Sequence, residues 1–292
     1  MPKSAAGRSR RWVLAHAGAA ATASLTRPAA WAADDVIRFA LTPVLLTSDL
    51  DLLALLKSSL EAGTDRPVQL VTRRTYQEIT TLLVSGQVDG AWICGYPFVA
   101  NRSQLDLIAV PIWRGRPLYQ SYLIADASRG ATSIADLEGD IHAFSDPDSN
   151  SGYLVTAAEL ARDGTTPERF FRQTVFTYGH YNVVRAVASG LAQSGSVDGY
   201  VYEVLREVQP DLVAATRLVR ASDWHAFPPI ACQAAMTNSD NTIKLRQALL
   251  RMHENPIGRE TLAALRLDRF AEEPTALFDS IAANMNLVRG LG

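Results

Sequence analysis

The sequence predicts an α/β protein of two similarly built lobes, and three observations carry that expectation. Apolar strand-like runs alternate with amphipathic helix-like runs along most of the chain, the alternation that builds a parallel sheet covered by helices. A phrase of helix, Ser-Gly stop and Val-Asp-Gly strand occurs twice, at Ser85-Gly86 with Val88-Asp89-Gly90 and at Ser189-Gly190 with Val197-Asp198-Gly199. The 292 residues, 48% hydrophobic and 20% charged, suffice for two separate cores.

The elements follow in order. Val36 to Leu41 is a buried strand, Asp49 to Leu60 an amphipathic helix and Val68 to Val71 a second strand. Thr75-Tyr76-Gln77-Glu78 opens a helix with a capping-box pattern, Ser85-Gly86 ends it, and Val88 to Ile93 resumes as a strand. Leu107 to Trp113 and Tyr119 to Ala125 read as strands joined by Arg114-Gly115-Arg116-Pro117, the second leading from one lobe to the other. Phe227-Pro228-Pro229-Ile230 leads back, and helices follow over Ser239 to Glu254, Ile257 to Leu265 and Pro274 to Val288. The expected lobes are residues 34–119 with 230–292, and residues 120–229, with a ligand held between them.

The stretch from Phe144 to Tyr153 is a strand end, a turn and a helix start. Asp146-Pro147 and Asp148 supply turn chemistry, while Ser149, Asn150 and Ser151 are three successive residues suited to N-capping where one cap needs only one. A helix N-terminus presents unpaired N–H groups and partial positive charge, so with adjacent hydroxyls it suits a small anion. Gly152 is expected to let a ligand approach the backbone. Read alone, the stretch is equally a well-capped helix.

Several chemistries are excluded. A formal charge of −2 leaves no electrostatic footprint for nucleic acid. None of the three lysines follows a glycine, which rules out a Walker A loop, and neither Gly-x-Gly-x-x-Gly nor Gly-x-Ser-x-Gly occurs. The five histidines are scattered without metal-ligand spacing. No cofactor or metal is expected.

Arg8, Ser9, Arg10 and Arg11, the uncharged run Trp12 to Thr26 and Ala30-Trp31-Ala32 have the layout of an export signal over residues 1–32, cleaved after Ala32. Ser9-Arg10-Arg11-Trp12-Val13-Leu14 resembles the twin-arginine motif, with a general secretory signal carrying two adjacent arginines as the alternative. The mature chain is thus expected to be soluble and outside the cytoplasm, in the periplasm.

The ordered set Tyr76, Trp92-Ile93-Cys94-Gly95-Tyr96, Asp146 to Gly152, Gly179-His180 and Val197-Asp198 resembles the phosphonate-binding family of periplasmic solute-binding proteins, over about Val36 to Val288. The resemblance implies the two-lobed type II periplasmic binding protein fold, with two crossing strands as hinge. It further implies non-catalytic capture of a phosphonate, phosphite or related small oxyanion for an ABC permease or a membrane sensor kinase. The family motif Asp-Pro-x-Ser-Thr-Ser-Gly is matched except for Asn150 in place of Thr. By this resemblance Ser149, Asn150 and Ser151 hold the anion, His180 and Tyr76 add donors, and Cys94, Gly95, Tyr96, Gly152, Asp198 and Gln233 complete the site. Taken singly, Tyr76 reads as a core ring and His180 as a helix cap.

Two departures bear on the ligand. Cys94 stands where the family often has Tyr, and Gln233 where aminoalkylphosphonate binders carry an acid, which weakens the case for an ammonium-bearing ligand. Cys232 adjoins Gln233, so both cysteines are expected near the cleft, as a disulfide, a functional thiol or inert core. The fold also resembles a periplasmic arsenite-sensing branch that depends on a cleft cysteine, making arsenite the alternative ligand. An exported hydrolase using His180 and a serine is the competing class, disfavoured because no nucleophile-base pair is recognisable. A monomer is expected, since closure around a ligand needs no second subunit.

Overall fold

The computed structural model describes residues 35–43 and 50–291. The expected export signal lies outside these residues, as does Asp49 at the expected start of the first helix. The first half runs β1 (Ile37–Leu41), α1 (Leu50–Thr64), β2 (Val68–Thr72), α2 (Tyr76–Val84), β3 (Gly90–Trp92), α3 (Gly95–Ala100) and β4 (Leu105–Ile112). Then come β5 (Leu118–Asp126), β6 (Ile141–Phe144), α4 (Val155–Arg162), α5 (Pro167–Phe170), β7 (Gln173–Phe176), α6 (His180–Ala188), β8 (Ser194–Asp198), α7 (Gly199–Val208), α8 (Pro210–Ala214) and β9 (Thr216–Ala226). The chain closes with β10 (Ile230–Gln233), α9 (Asp240–Leu250), α10 (Pro256–Ala264), β11 (Arg269–Ala271) and α11 (Asp279–Arg289).

These strands form two sheets. The six-stranded one has the order β11-β4-β10-β3-β1-β2 and the five-stranded one β7-β6-β8-β5-β9. In the first, β1 lies parallel between β2 and β3, and β10 is antiparallel to β3 and β4. In the second, β6 lies parallel between β7 and β8, and β5 is antiparallel to β8 and β9. Each sheet therefore carries a parallel triplet followed by one antiparallel strand that enters from the other sheet: β5 arrives after β4, and β10 after β9.

The two connecting segments are tied together. Phe227 N–H donates to Pro117 O at 2.9 Å, Ile93 N–H to Pro229 O at 3.0 Å and Trp92 Nε1–H to Pro228 O at 3.0 Å. The carbonyls of Pro228 and Pro229 thus serve β3 and its exit. Beside them Phe227 meets Tyr119 and Tyr200 with ring centroids 5.6 and 5.2 Å apart, giving the crossing an aromatic core.

Local chemistry explains the element ends. The expected capping box is present: Thr75 Oγ1 accepts from Glu78 N at 3.2 Å, and the Glu78 carboxylate accepts from Thr75 N at 3.0 Å. Gly86 and Gly190 adopt φ of +68° and +74°, so both Ser-Gly stops end helices as expected. The repeated Val-Asp-Gly phrase does not hold the same place, however. Asp89 precedes β3, where its carboxylate accepts from Arg38 N at 2.7 Å, whereas Asp198 ends β8 and caps α7. Val197 to Val201 is consequently not a strand throughout, because Gly199 already begins a helix.

Candidate functional site

In an open parallel sheet, loops leaving adjacent strands on opposite sides of the sheet open a crevice at the strands' carboxyl ends. Both sheets have such a switch, at β1 between β2 and β3 and at β6 between β7 and β8. The segments leaving β2, β6, β7 and β8 each run into a helix N-terminus, at Tyr76 of α2, at Asn150 ahead of α4, at His180 of α6 and at Gly199 of α7. Partial positive charge and free N–H groups are delivered by all four.

The loop after β6 is folded by its own side chains. Asp146 Oδ1 accepts from Asp148 N at 2.9 Å, and Ser149 N–H donates to Asp146 O at 3.0 Å. Ser149 is the single N-cap, its Oγ accepting from Gly152 N at 3.0 Å. The first turn, Asn150–Leu154, is a wide π-type turn in which Leu154 N–H reaches back to Ser149 O at 3.0 Å. Such turns occur often at functional sites because they re-aim side chains.

Asn150 is fully buried and bridges elements. Its N–H donates to Cys94 Sγ at 3.2 Å and its Nδ2 to Tyr119 Oη at 3.1 Å. Its Oδ1, together with Ser145 Oγ and Ser151 Oγ, is buried without a hydrogen-bond partner. Each such orphan costs about 1–3 kcal/mol unless something else satisfies it.

His180 and Tyr76 meet across the two sheets' helices. Asp198 N–H donates to His180 Nδ1 at 3.0 Å, and His180 Nε2 lies 3.2 Å from Tyr76 Oη. Burial pulls the imidazole pKa down to about 3, so the ring is neutral. With Nδ1 accepting, the proton sits on Nε2 and is donated to Tyr76 Oη, which leaves the tyrosine's own O–H free to donate. Asp198 is also buried, its Oδ1 accepting from Val201 N at 3.2 Å, and burial pushes its carboxyl up to about 7.

Several expected residues have other roles. A Cβ on Gly152 would fall 1.8 Å from Ser145 Oγ and 3.0 Å from His180 Cε1, so its bare backbone makes room for these two side chains. Gly95 likewise makes way for Ile281, whose Cδ1 would lie 2.5 Å from an added Cβ. Half-buried Tyr96 lines a separate cleft of about 420 Å³ with Gln77, Asp148 and Arg289.

Cys232 and Gln233 are not at the site. β10 runs antiparallel to β3 with Ile230 opposite Trp92 and Ala231 opposite Ala91, so each further residue of β10 moves away from the carboxyl end where Cys94 lies. The Gln233 amide instead donates to Val84 O at 2.8 Å, at the far end of α2. Both cysteines are free and buried. The expected pair of cleft thiols, and with it the disulfide, is overturned by this register. Burial pushes the Cys94 thiol up to about 12, so it is a protonated S–H, not the reactive thiolate considered from sequence.

Ser145 and Tyr119 belong to the cluster but were not singled out from the sequence. The signal for Ser145 is a hydroxyl directly after β6, the middle strand of the parallel triplet; Tyr119, in a crossing strand, gives none. Both nitrogens of His180 are occupied, and neither bonds a serine. The arrangement offers donors and acceptors but no activated nucleophile.

Among solved structures, the fold is similar to a binding protein component of an ABC phosphonate transporter from Pseudomonas aeruginosa, with TM-score 0.80, 20% identity and coverage of 88% of this chain and 87% of that one. It is similar to PhnD1 from Prochlorococcus marinus in complex with methylphosphonate, with TM-score 0.79, 17% identity and coverage of 88% and 99%. An ancestral arginine-binding protein bound to arginine shares the architecture at TM-score 0.59 and 16% identity, covering 79% and 98%. The fold is thus the type II periplasmic binding fold. Residues 39–274 match the family described as ABC transporter, phosphonate, periplasmic substrate-binding protein, and the chain belongs to this family of non-enzymatic, extracytoplasmic binding proteins.

Proposed function

We propose that this protein captures a small tetrahedral oxyanion of the phosphonate or phosphite type and presents it to an ABC permease. The observation that carries the reading is the set of orphaned buried atoms, Ser145 Oγ, Asn150 Oδ1 and Ser151 Oγ, at a helix start where three further helix N-termini converge. Residues 34–119 with 230–292, and residues 120–229, act as two lobes hinged at the crossing segments. Ser149 sets the helix start, Asn150 and Ser151 contact the anion, and Tyr76 donates its free hydroxyl hydrogen. The protein acts as an exported periplasmic monomer. A sensor kinase as receiver would use the same closed form.

The arsenite alternative is weakened by the remoteness of Cys232 and the protonated state of Cys94, which leave it one poorly nucleophilic sulfur. Among the described residues no helix is long and apolar enough to cross a membrane. The test is isothermal titration with methylphosphonate, phosphite, phosphate and arsenite beside a turnover assay. Saturable binding of a tetrahedral phosphorus oxyanion without turnover is expected. Turnover without binding, or binding of arsenite alone, overturns the reading.

A further inference from the structure

We propose that the site takes its ligand as a singly protonated monoanion, with Asn150 Oδ1 accepting the ligand's hydroxyl proton, and thereby rejects anions that carry no proton, such as sulfate. The inference rests on the oxyanion reading above and narrows its ligand class.

The hydrogen-bond inventory comes first. Ser145 and Ser151 hydroxyls either donate or accept, but an amide oxygen only accepts. Asn150 has committed Nδ2 to Tyr119 Oη and its backbone N–H to Cys94 Sγ, so what it holds in reserve is Oδ1, fully buried and unpartnered. A fully deprotonated oxyanion would set lone pair against lone pair at this atom. A ligand bearing one P–OH group satisfies it while its remaining oxygens accept from the hydroxyls.

The charge inventory agrees. The titratable groups around the cluster are Tyr76 of α2, Cys94 ahead of α3, Tyr119 of β5, Asp146 and Asp148 after β6, His180 of α6 and Asp198 at the end of β8. None is a lysine or arginine, and three are carboxyls. Burial raises Asp146 and Asp198 and holds His180 neutral, so the surroundings resist unbalanced charge. Four helix N-termini, each equivalent to about half a positive charge and partly offset by these carboxyls, suit one negative charge better than two. Arg74, exposed over the Tyr178 ring at 5.4 Å, belongs to the loop ahead of α2 and not to the cluster.

The experiment titrates the full chain with methylphosphonate, monofluoromethylphosphonate and sulfate between about pH 5 and pH 9, a window that spans the second ionisation of both phosphonates. The fluorinated ligand has nearly the same shape but a lower second ionisation. Expected is an affinity that falls about tenfold per pH unit above each ligand's own second ionisation, because only the monoanion competes for the site. The break therefore moves to lower pH for the fluorinated ligand, sulfate does not bind, and Asn150→Thr, whose hydroxyl can donate to a dianion, makes the fall shallower. A break at one pH for both phosphonates assigns the titration to a protein group such as Asp198 and overturns the inference, as do pH-independent affinity or sulfate binding as tight as methylphosphonate. Those outcomes leave the oxyanion reading standing. Absence of binding by any of the ligands at every pH removes both.

Discussion

The carboxylate of Asp146 accepts a hydrogen bond from the backbone N–H of Tyr76 at 3.2 Å, although the two are 70 residues apart and follow strands of different sheets. Tyr76 N–H is one of the free donors at the start of α2, where Thr75 already caps a later one. A loop of the five-stranded sheet thus completes the cap of a helix of the six-stranded sheet. On the proposed two-lobed reading the bond breaks when the lobes part, so it would report closure.

Asp146→Ala is accordingly expected to favour the open form. With a bond to a charged acceptor contributing about 1.5–3 kcal/mol, affinity for methylphosphonate should fall on the order of tenfold or more. Titration calorimetry reads the affinity, and small-angle scattering reads an increased radius of gyration with ligand present. Unchanged compaction and affinity would show that the cap is incidental.

Ser149 and Ser151 separate capping from binding. Ser149 Oγ is the cap on Gly152 N, so Ser149→Ala should cost about 1 kcal/mol of fold stability. Ser151 Oγ has no partner, so Ser151→Ala should leave the melting temperature unchanged or raised while weakening ligand binding by about 1–3 kcal/mol. Thermal melts of the unliganded variants beside titrations check both. A Ser151→Ala protein that melts early and binds normally would reverse the assignment.

Asp198 supplies a pH test with a definite sign. Its carboxyl is raised from 3.8 to about 7 in the fold, so its contribution to stability is fully present below 3.8 and is lost as pH rises through about 7. His142 and His180 act oppositely, each lowered from 6.5 to about 3, contributing stability above 6.5 that is lost as pH falls towards 3. Asp198→Asn keeps an oxygen to accept from Val201 N but cannot ionise. The variant's stability advantage should be absent below about pH 4, open as pH rises to about 7 and level off above it, at on the order of 2–4 kcal/mol. Chemical denaturation at pH 4, 6 and 8 measures the gap; a gap independent of pH contradicts the buried acid.

What was legible in the sequence was whatever local chemistry specifies. The capping box at Thr75, the Ser-Gly stops and the run of capping residues at Ser149 state their own backbone geometry. Strand β9 was not legible: it is an edge strand with Arg217, Arg220 and Asp223 along it, so it lacks the apolar run of β1. The site was half legible for a related reason. Ser149 to Ser151, Tyr76 and His180 follow strand ends directly, whereas the place of Gln233 and Cys232 depends on which way β10 runs beside β3, a non-local pairing that no short stretch encodes.

That register also decides the chemistry of the cysteines. Ala231 pairs with Ala91 in an antiparallel ladder, so Cys232 stands level with Gly90, while Cys94 lies four residues further along in the opposite sense. At about 3.3 Å per residue this separates them by roughly 13 Å, beyond the ~7 Å between Cα atoms that a disulfide tolerates. Both thiols are buried, and burial raises both, Cys94 to about 12. Protein prepared with and without reductant should therefore give the same melting temperature and the same affinity for methylphosphonate, and an aromatic disulfide reagent should titrate neither thiol at pH 8 until the chain is unfolded, when both react. Cys94→Ser should keep that affinity within about threefold, because a hydroxyl still accepts from Asn150 N–H and the thiol is not asked to ionise. Rapid labelling of one thiol in the native protein, or loss of anion binding on oxidation, would place a reactive cysteine at the ligand and favour the arsenite alternative over the oxyanion.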